Sequence, residues 1–159
     1  MKRIPLFVAC SLLAFGTAAM AQNKVDTKWH CGKESVSHAL DVGDIPGHSY
    51  IILQGTCTAT ASDSGFAEKK GDYTQFTEWW KASFNWHGRL NVTMDNGDKV
   101  YYTYESTSTD ITKPVSEKWK ILGGTGKYKG IKGSGTCSEI ANADGSGDDT
   151  CTGTYSLSK

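Results

Sequence analysis

The chain is 159 residues long and carries 17 Lys and Arg against 17 Asp and Glu, a formal net charge of zero. That balance lacks the basic footprint by which proteins hold nucleic acid or an anionic membrane. The length allows one domain with a sizeable core and leaves little room for a second.

Residues 1–21 have the three parts of a secretory signal. Lys2 and Arg3 form a positive start, Ile4 to Met20 is almost entirely apolar or small, and Ala19-Met20-Ala21 is a cleavage site of the A-x-A kind. The apolar run is short for a membrane-spanning helix, and Gly16 and Thr17 interrupt its end. Cys10 comes too early in the run to mark a lipoprotein. The expected product begins at Gln22, keeps no membrane anchor and resides in the periplasm or the medium. Removing Lys2 and Arg3 leaves 15 basic residues against 17 acidic ones in a single expected domain, 22–159.

Four cysteines remain: Cys31, Cys57, Cys137 and Cys151. An even number in an oxidising compartment implies two disulfides. No C-x-x-C pair is present, so a four-cysteine zinc site is not indicated. His30, His38, His48 and His87 also lack metal-binding spacing.

The mature sequence is rich in Gly, Thr, Ser, Tyr and Trp, which favour strands and turns. No segment sustains helical periodicity over three turns, whereas period two recurs. Val36–Pro46 fits neither pattern cleanly. Ser49–Ala59 predicts a strand with Ile51, Leu53, Gly55 and Cys57 on one face. Ser62–Gly71 is polar and predicts a loop.

Trp80 to Met94 predicts one long strand. Trp80, Ala82, Phe84, Trp86, Gly88, Leu90, Val92 and Met94 fall on one face and polar residues on the other. Gly88 is the expected bend. Asp95-Asn96-Gly97 signals a turn into a second strand bearing Val100, Tyr102 and Tyr104. A four-residue loop would oppose Val100 to Thr93 and mismatch the faces. A three-residue loop opposes Val92 to Val100 and Leu90 to Tyr102, and puts Gly97 where a G1 bulge needs a left-handed residue. Leu90, Val92, Val100, Tyr102 and Tyr104 are therefore expected to share one buried face.

Glu117–Leu122 predicts a further strand, with Trp119 and Ile121 in phase. Ile131–Ser138 and Thr150–Leu157 predict a hairpin around a polar loop, Asn142–Asp149. Centring that loop near Asp144 makes Cys137 and Cys151 direct cross-strand partners, within disulfide reach. Cys31 is left for Cys57. Seven or eight strands with long, bent, glycine-punctuated segments predict an antiparallel barrel of about eight strands.

Catalytic signatures are weak. No G-x-S-x-G is present. Asp144-Gly-Ser-Gly-Asp148 begins like a calcium loop, but Asp149 and Tyr155 stand where an EF-hand needs Gly and Glu. Asn91-Val-Thr93 matches a glycosylation sequon within a strand. Glu105, after three tyrosines, has the phase of a solvated face. No catalytic residue, metal or cofactor is indicated.

One stretch is more specific than composition. Tyr102-Thr-Tyr-Glu105, with Trp119-Lys-Ile-Leu-Gly-Gly-Thr-Gly-Lys-Tyr-Lys-Gly-Ile-Lys-Gly-Ser-Gly-Thr-Cys137, resembles the allene oxide cyclase barrel superfamily. Dirigent proteins carry a similar G-G-T-G-x-aromatic segment. The resemblance implies an eight-stranded antiparallel barrel with an apolar cavity, in which relatives steer a reactive small molecule to one stereochemical outcome. It carries no catalytic residue onto this chain. From the residues themselves, Gly123 to Gly126 let the chain reverse, and Tyr128 is expected to plug one barrel end.

The expected function is binding of a small apolar or aromatic ligand without catalysis. Cavity candidates are Trp80, Phe84, Trp86, Leu90, Tyr102, Tyr104 and Trp119. The rivals are an isomerase or cyclase acting on such a ligand, and a filled barrel that acts through its surface as an inhibitor or envelope protein. An ionisable group inside the cavity separates the enzyme from the binder, and cavity volume separates the binder from the surface protein. A homo-oligomer is left open.

Overall fold

A computed structural model describes residues 22–63, 65–81, 83–110 and 112–157. The export signal read in residues 1–21 lies outside the described residues. The chain forms β1 (Asn23–Cys31), β2 (Val36–Asp41), β3 (His48–Ser62), β4 (Glu68–Trp80), β5 (Ser83–Met94), β6 (Lys99–Ser108), β7 (Val115–Gly124), β8 (Lys132–Ala141) and β9 (Gly147–Ser156). Every pairing is antiparallel.

From β3 to β9 the strands pair in chain order. β9 then pairs with β1, and β1 with β3, closing an eight-stranded barrel. β2 is the ninth strand and lies outside that circuit. β1 covers Cys57 to Ser62 of β3, and β2 covers Ser49 to Gln54 of the same edge. The N-terminal segment thus forms one interrupted strand along β3.

The β5–β6 hairpin has the expected three-residue loop. Val92 opposes Val100 and Leu90 opposes Tyr102. The amide of Met94 donates to Asp98, and Gly97 sits at φ +85°. Val92 and Val100 are fully buried, Tyr102 nearly so, and Leu90 and Tyr104 pack partly buried against them. Both expected disulfides are present, Cys31–Cys57 and Cys137–Cys151, each joining directly opposed residues.

Two expectations need correction, and one segment left unassigned is resolved. Ser62–Gly71 is not all loop: β4 begins at Glu68, because Glu68 is buried and bonded rather than solvated. The ambiguous segment contains strand β2. Trp80 does not belong to the strand of Phe84. Lys81, at φ +55°, lies between β4 and β5, and Ala82, expected in that strand, lies outside the described residues.

The interior has two halves. At one end, Phe66, Met94, Val100, Tyr128 and Ile131 make a closed plug. Phe66 stacks on Tyr155 and meets Tyr128 edge-on. A single 3-10 turn, Gly126–Tyr128, swings Tyr128 into this end. Gly126 (φ +49°) is required there, since a β-carbon would fall 2.0 Å from the Asp98 carboxylate. That carboxylate accepts the Lys127 amide and so fixes the turn.

Candidate functional site

The other half of the interior is not filled. A cavity of about 370 Å³ lies toward the β4–β5, β6–β7 and β8–β9 turns. Its aromatic wall is a stack of Trp79, Phe84 and Trp86, with ring centroids 5.7 and 4.1 Å apart and nearly parallel planes. Trp119 and Tyr104 continue the wall. Trp119 can lie flat because Gly135 and Gly153, on the facing strands, leave room for its six-membered ring.

Phe84, Trp86, Leu90, Tyr102, Tyr104 and Trp119 line this space together. Trp80 does not. In the tight β4–β5 hairpin Trp79 opposes Phe84, so the two share a face, and Trp80 points the other way. There it stacks on His48, whose ring nitrogens meet Asp44 and Glu78.

Much of the cavity's polar lining is carboxyl groups that sequence reasoning missed, the exposed Glu34 and, further in, Glu68, Glu117, Glu139 and Asp149. Glu68 sits deepest, accepting Thr27 Oγ1 at 2.7 Å and the Tyr102 hydroxyl at 2.5 Å. Burial raises its pKa, against the lowering pull of those two bonds. Glu117 accepts the indole N–H of Trp86 at 2.7 Å. Glu139 and Asp149 oppose each other across β8 and β9. Oxygens of Glu117, Glu139 and Asp149 lie within 4.8 Å of one another, close enough to converge on a cation.

Crowding three carboxyls in a half-dry space disfavours charge on all of them. Burial, then Glu139 and Asp149, push Glu117 well above the usual carboxylate range. Burial and Glu34 raise Glu139. Burial and Glu139 raise Asp149 to about 7. Asp149 Oδ1 is buried without a partner, and Oδ2 lies 3.5 Å from Cys31 Sγ, a disulfide sulfur with no proton to give. The Trp119 indole N–H, on the cavity wall, also has no acceptor. Glu105, the carboxylate that stood out in the sequence, is exposed outside the barrel.

These groups set the sign of the pH dependence. A carboxyl whose folded pKa lies above its unfolded value destabilises the fold as it ionises. Stability is therefore expected to fall as pH rises from about 4 toward 7, the window opened by Asp149. The fall is at most about 4 kcal/mol for this one group. Urea unfolding at pH 5 and pH 8 measures it. In a Glu139→Gln/Asp149→Asn double variant the difference should shrink, leaving the share that burial of Glu117 and Glu68 supplies. A wild type more stable at pH 8 than at pH 5 would show that the carboxyls are not desolvated.

The fold has solved counterparts. The structure of the pterocarpan synthase dirigent protein PsPTS1 superposes with a TM-score of 0.54 over 87% of this chain and 97% of that one, at 12% identity. The pterocarpan synthase dirigent protein GePTS1 gives 0.52 over 87% of each chain, at 11% identity. No protein-family model matches the sequence, and neither does any curated protein. The chain is a dirigent-like, disulfide-bonded β-barrel.

Proposed function

We propose that the protein is exported and binds a small, flat aromatic or apolar ligand in its barrel cavity. The observation that carries this is an unfilled space of about 370 Å³ faced by the Trp79, Phe84 and Trp86 stack. Ligand sites are concave, mostly apolar and provided with a few convergent polar groups. An open cavity counts against the filled barrel that acts only through its surface. Two disulfides suit an oxidising compartment, and among the described residues no helix is long and apolar enough to cross a membrane.

Native mass spectrometry of protein purified from its own host tests this reading, through a ligand mass lost on denaturation. Displacement of a neutral hydrophobic fluorophore gives a second test. Trp86→Ala, which removes the middle of the wall and a donor to Glu117, should weaken that binding at least tenfold. Unchanged fluorophore affinity in this variant would place the ligand elsewhere.

A second reading is favoured by one observation: Glu117 is a buried acid that burial, then Glu139 and Asp149, hold well above the usual carboxylate range. A carboxyl that burial shifts toward its neutral form is suited to general acid catalysis. The dirigent proteins of similar fold are called pterocarpan synthases. In this reading the barrel isomerises or cyclises its ligand, and Glu117 donates the proton. Glu117→Gln should then keep binding and lose at least a hundredfold in turnover. Equal turnover in the variant would leave the simple binder.

A further inference from the structure

Resting on the ligand-binding reading, we propose that the cavity selects a protonated amine: a small aryl-alkylammonium compound whose ring lies on the tryptophan wall, whose ammonium meets Glu117, Glu139 and Asp149, and whose ring oxygen accepts the Trp119 N–H.

Charge balance is the first ground. Glu34, Glu68, Glu117, Glu139 and Asp149 all line the cavity. The cationic side chain among the described lining residues is Lys113, which is 76% exposed and paired with Asp110 at 3.0 Å. Glu68 is satisfied by Thr27 and Tyr102. Glu34 is exposed, and Glu117, Glu139 and Asp149 have no ion-pair partner among the described residues. A desolvated charge is stable when paired, and removing the partner is costly. An ammonium is three donors on a compact cation, the complement of three converging oxygens. Aromatic faces also attract cations, tryptophan most strongly.

The second ground is independent of the acids. Trp119 is 5% exposed, and its indole N–H has no partner. A buried donor left unmade costs the full desolvation of the group. A ligand that lacks an acceptor leaves this donor orphaned. Asp149 Oδ1, in the same cavity, is an orphaned acceptor. The occupant that satisfies both carries a donor and an acceptor on one flat body.

The groups facing Asp149 define the pH behaviour. They are Glu139 from β8, Asp148 beside it on β9, Glu117 from β7, Tyr73 from β4 and Tyr104 from β6, while Glu34 and Lys113 line the same cavity. Burial pushes the Tyr73 hydroxyl up to about 12 and raises that of Tyr104 further, so both stay neutral between pH 5 and 8. Binding ionises the carboxyls, so affinity for the amine rises with pH across this range and protons are released.

Calorimetry of the disulfide-bonded protein with three probes is the test. Tyramine carries both ammonium and ring oxygen, phenethylamine only the ammonium, and 4-ethylphenol only the oxygen. Tyramine should bind at least tenfold tighter than either at pH 8. Its affinity should fall at least fivefold at pH 5.5, with buffer-dependent heats that report proton release. Glu139→Gln/Asp149→Asn should lose the preference over 4-ethylphenol while keeping 4-ethylphenol affinity within twofold. Binding of 4-ethylphenol as tight as that of tyramine overturns the amine and leaves the ligand-binding reading standing. No binding of any probe, together with no fluorophore binding, overturns both.

Discussion

Gly135→Ala is expected to cost roughly 3 kcal/mol or more of folding stability, at the upper end of what overpacking a core does. Gly135 lies on β8 with its missing side chain turned into the barrel. A β-carbon there would stand 2.0 Å from the Thr152 carbonyl oxygen and 2.4 Å from the Trp119 indole. The carbonyl belongs to β9, which is paired with β8 along its whole length, so it has little freedom to retreat. Trp119 is held between Tyr102, edge-on at 5.7 Å, and the glycines themselves. The comparison is Gly32→Ala, whose β-carbon meets only a backbone oxygen at 3.9 Å. That change should stay within about 0.5 kcal/mol. Urea midpoints at constant slope measure both. If the two variants are equally stable, Trp119 does not rest on the glycine floor.

The disulfides carry the other large effect. Cys31–Cys57 closes 26 residues and Cys137–Cys151 closes 14. The chain-entropy argument gives losses of about 3.5 and about 3 kcal/mol on removal. The first has an added local role. It sits where β1 hands the β3 edge over to β2, so its loss frees the strand that closes the barrel. Cys31→Ala/Cys57→Ala should therefore be the less stable of the two double variants, and it alone should speed amide exchange in β1. Non-reducing peptide mapping checks the pairing directly. A Cys31 peptide linked to Cys137 or Cys151 would refute both bonds.

Much of the barrel was legible because alternation fixes faces and turns fix register. Val92 against Val100 and Cys137 against Cys151 both came from matching phases across a loop of the right length. The same alternation also contained the carboxyls. Glu117 is in phase with Trp119 and Ile121, Glu139 with Cys137, and Asp149 with Cys151. Charge argued for solvent and phase argued for the interior, and phase prevailed, with all three side chains lining the unfilled cavity. Trp79 and Trp80 show where alternation fails. The short connection between Trp80 and Ser83 resets the phase, so that Trp79 rather than Trp80 shares a face with Phe84. β4 was hidden for a related reason, since Glu68-Lys-Lys-Gly reads as polar until Thr27 and Tyr102 are seen to meet Glu68.

The seam of the barrel joins its first strand to its last. β1 leaves the ribosome before any other strand described here, and β9 after all of them. The ring cannot shut during synthesis, because β1 must wait for a partner that appears more than a hundred residues later. Until then β3 can hold β1 in place, and the Cys31–Cys57 bond can form once that part of the chain reaches an oxidising compartment. The far side of β1 and the growing edge of the sheet stay bare. Two bare edges on one chain are templates for a neighbouring chain. An interrupted or truncated product lacking Gly147–Ser156 is thus an open sheet primed to pair with copies of itself, and the last ten-residue strand is what covers both edges.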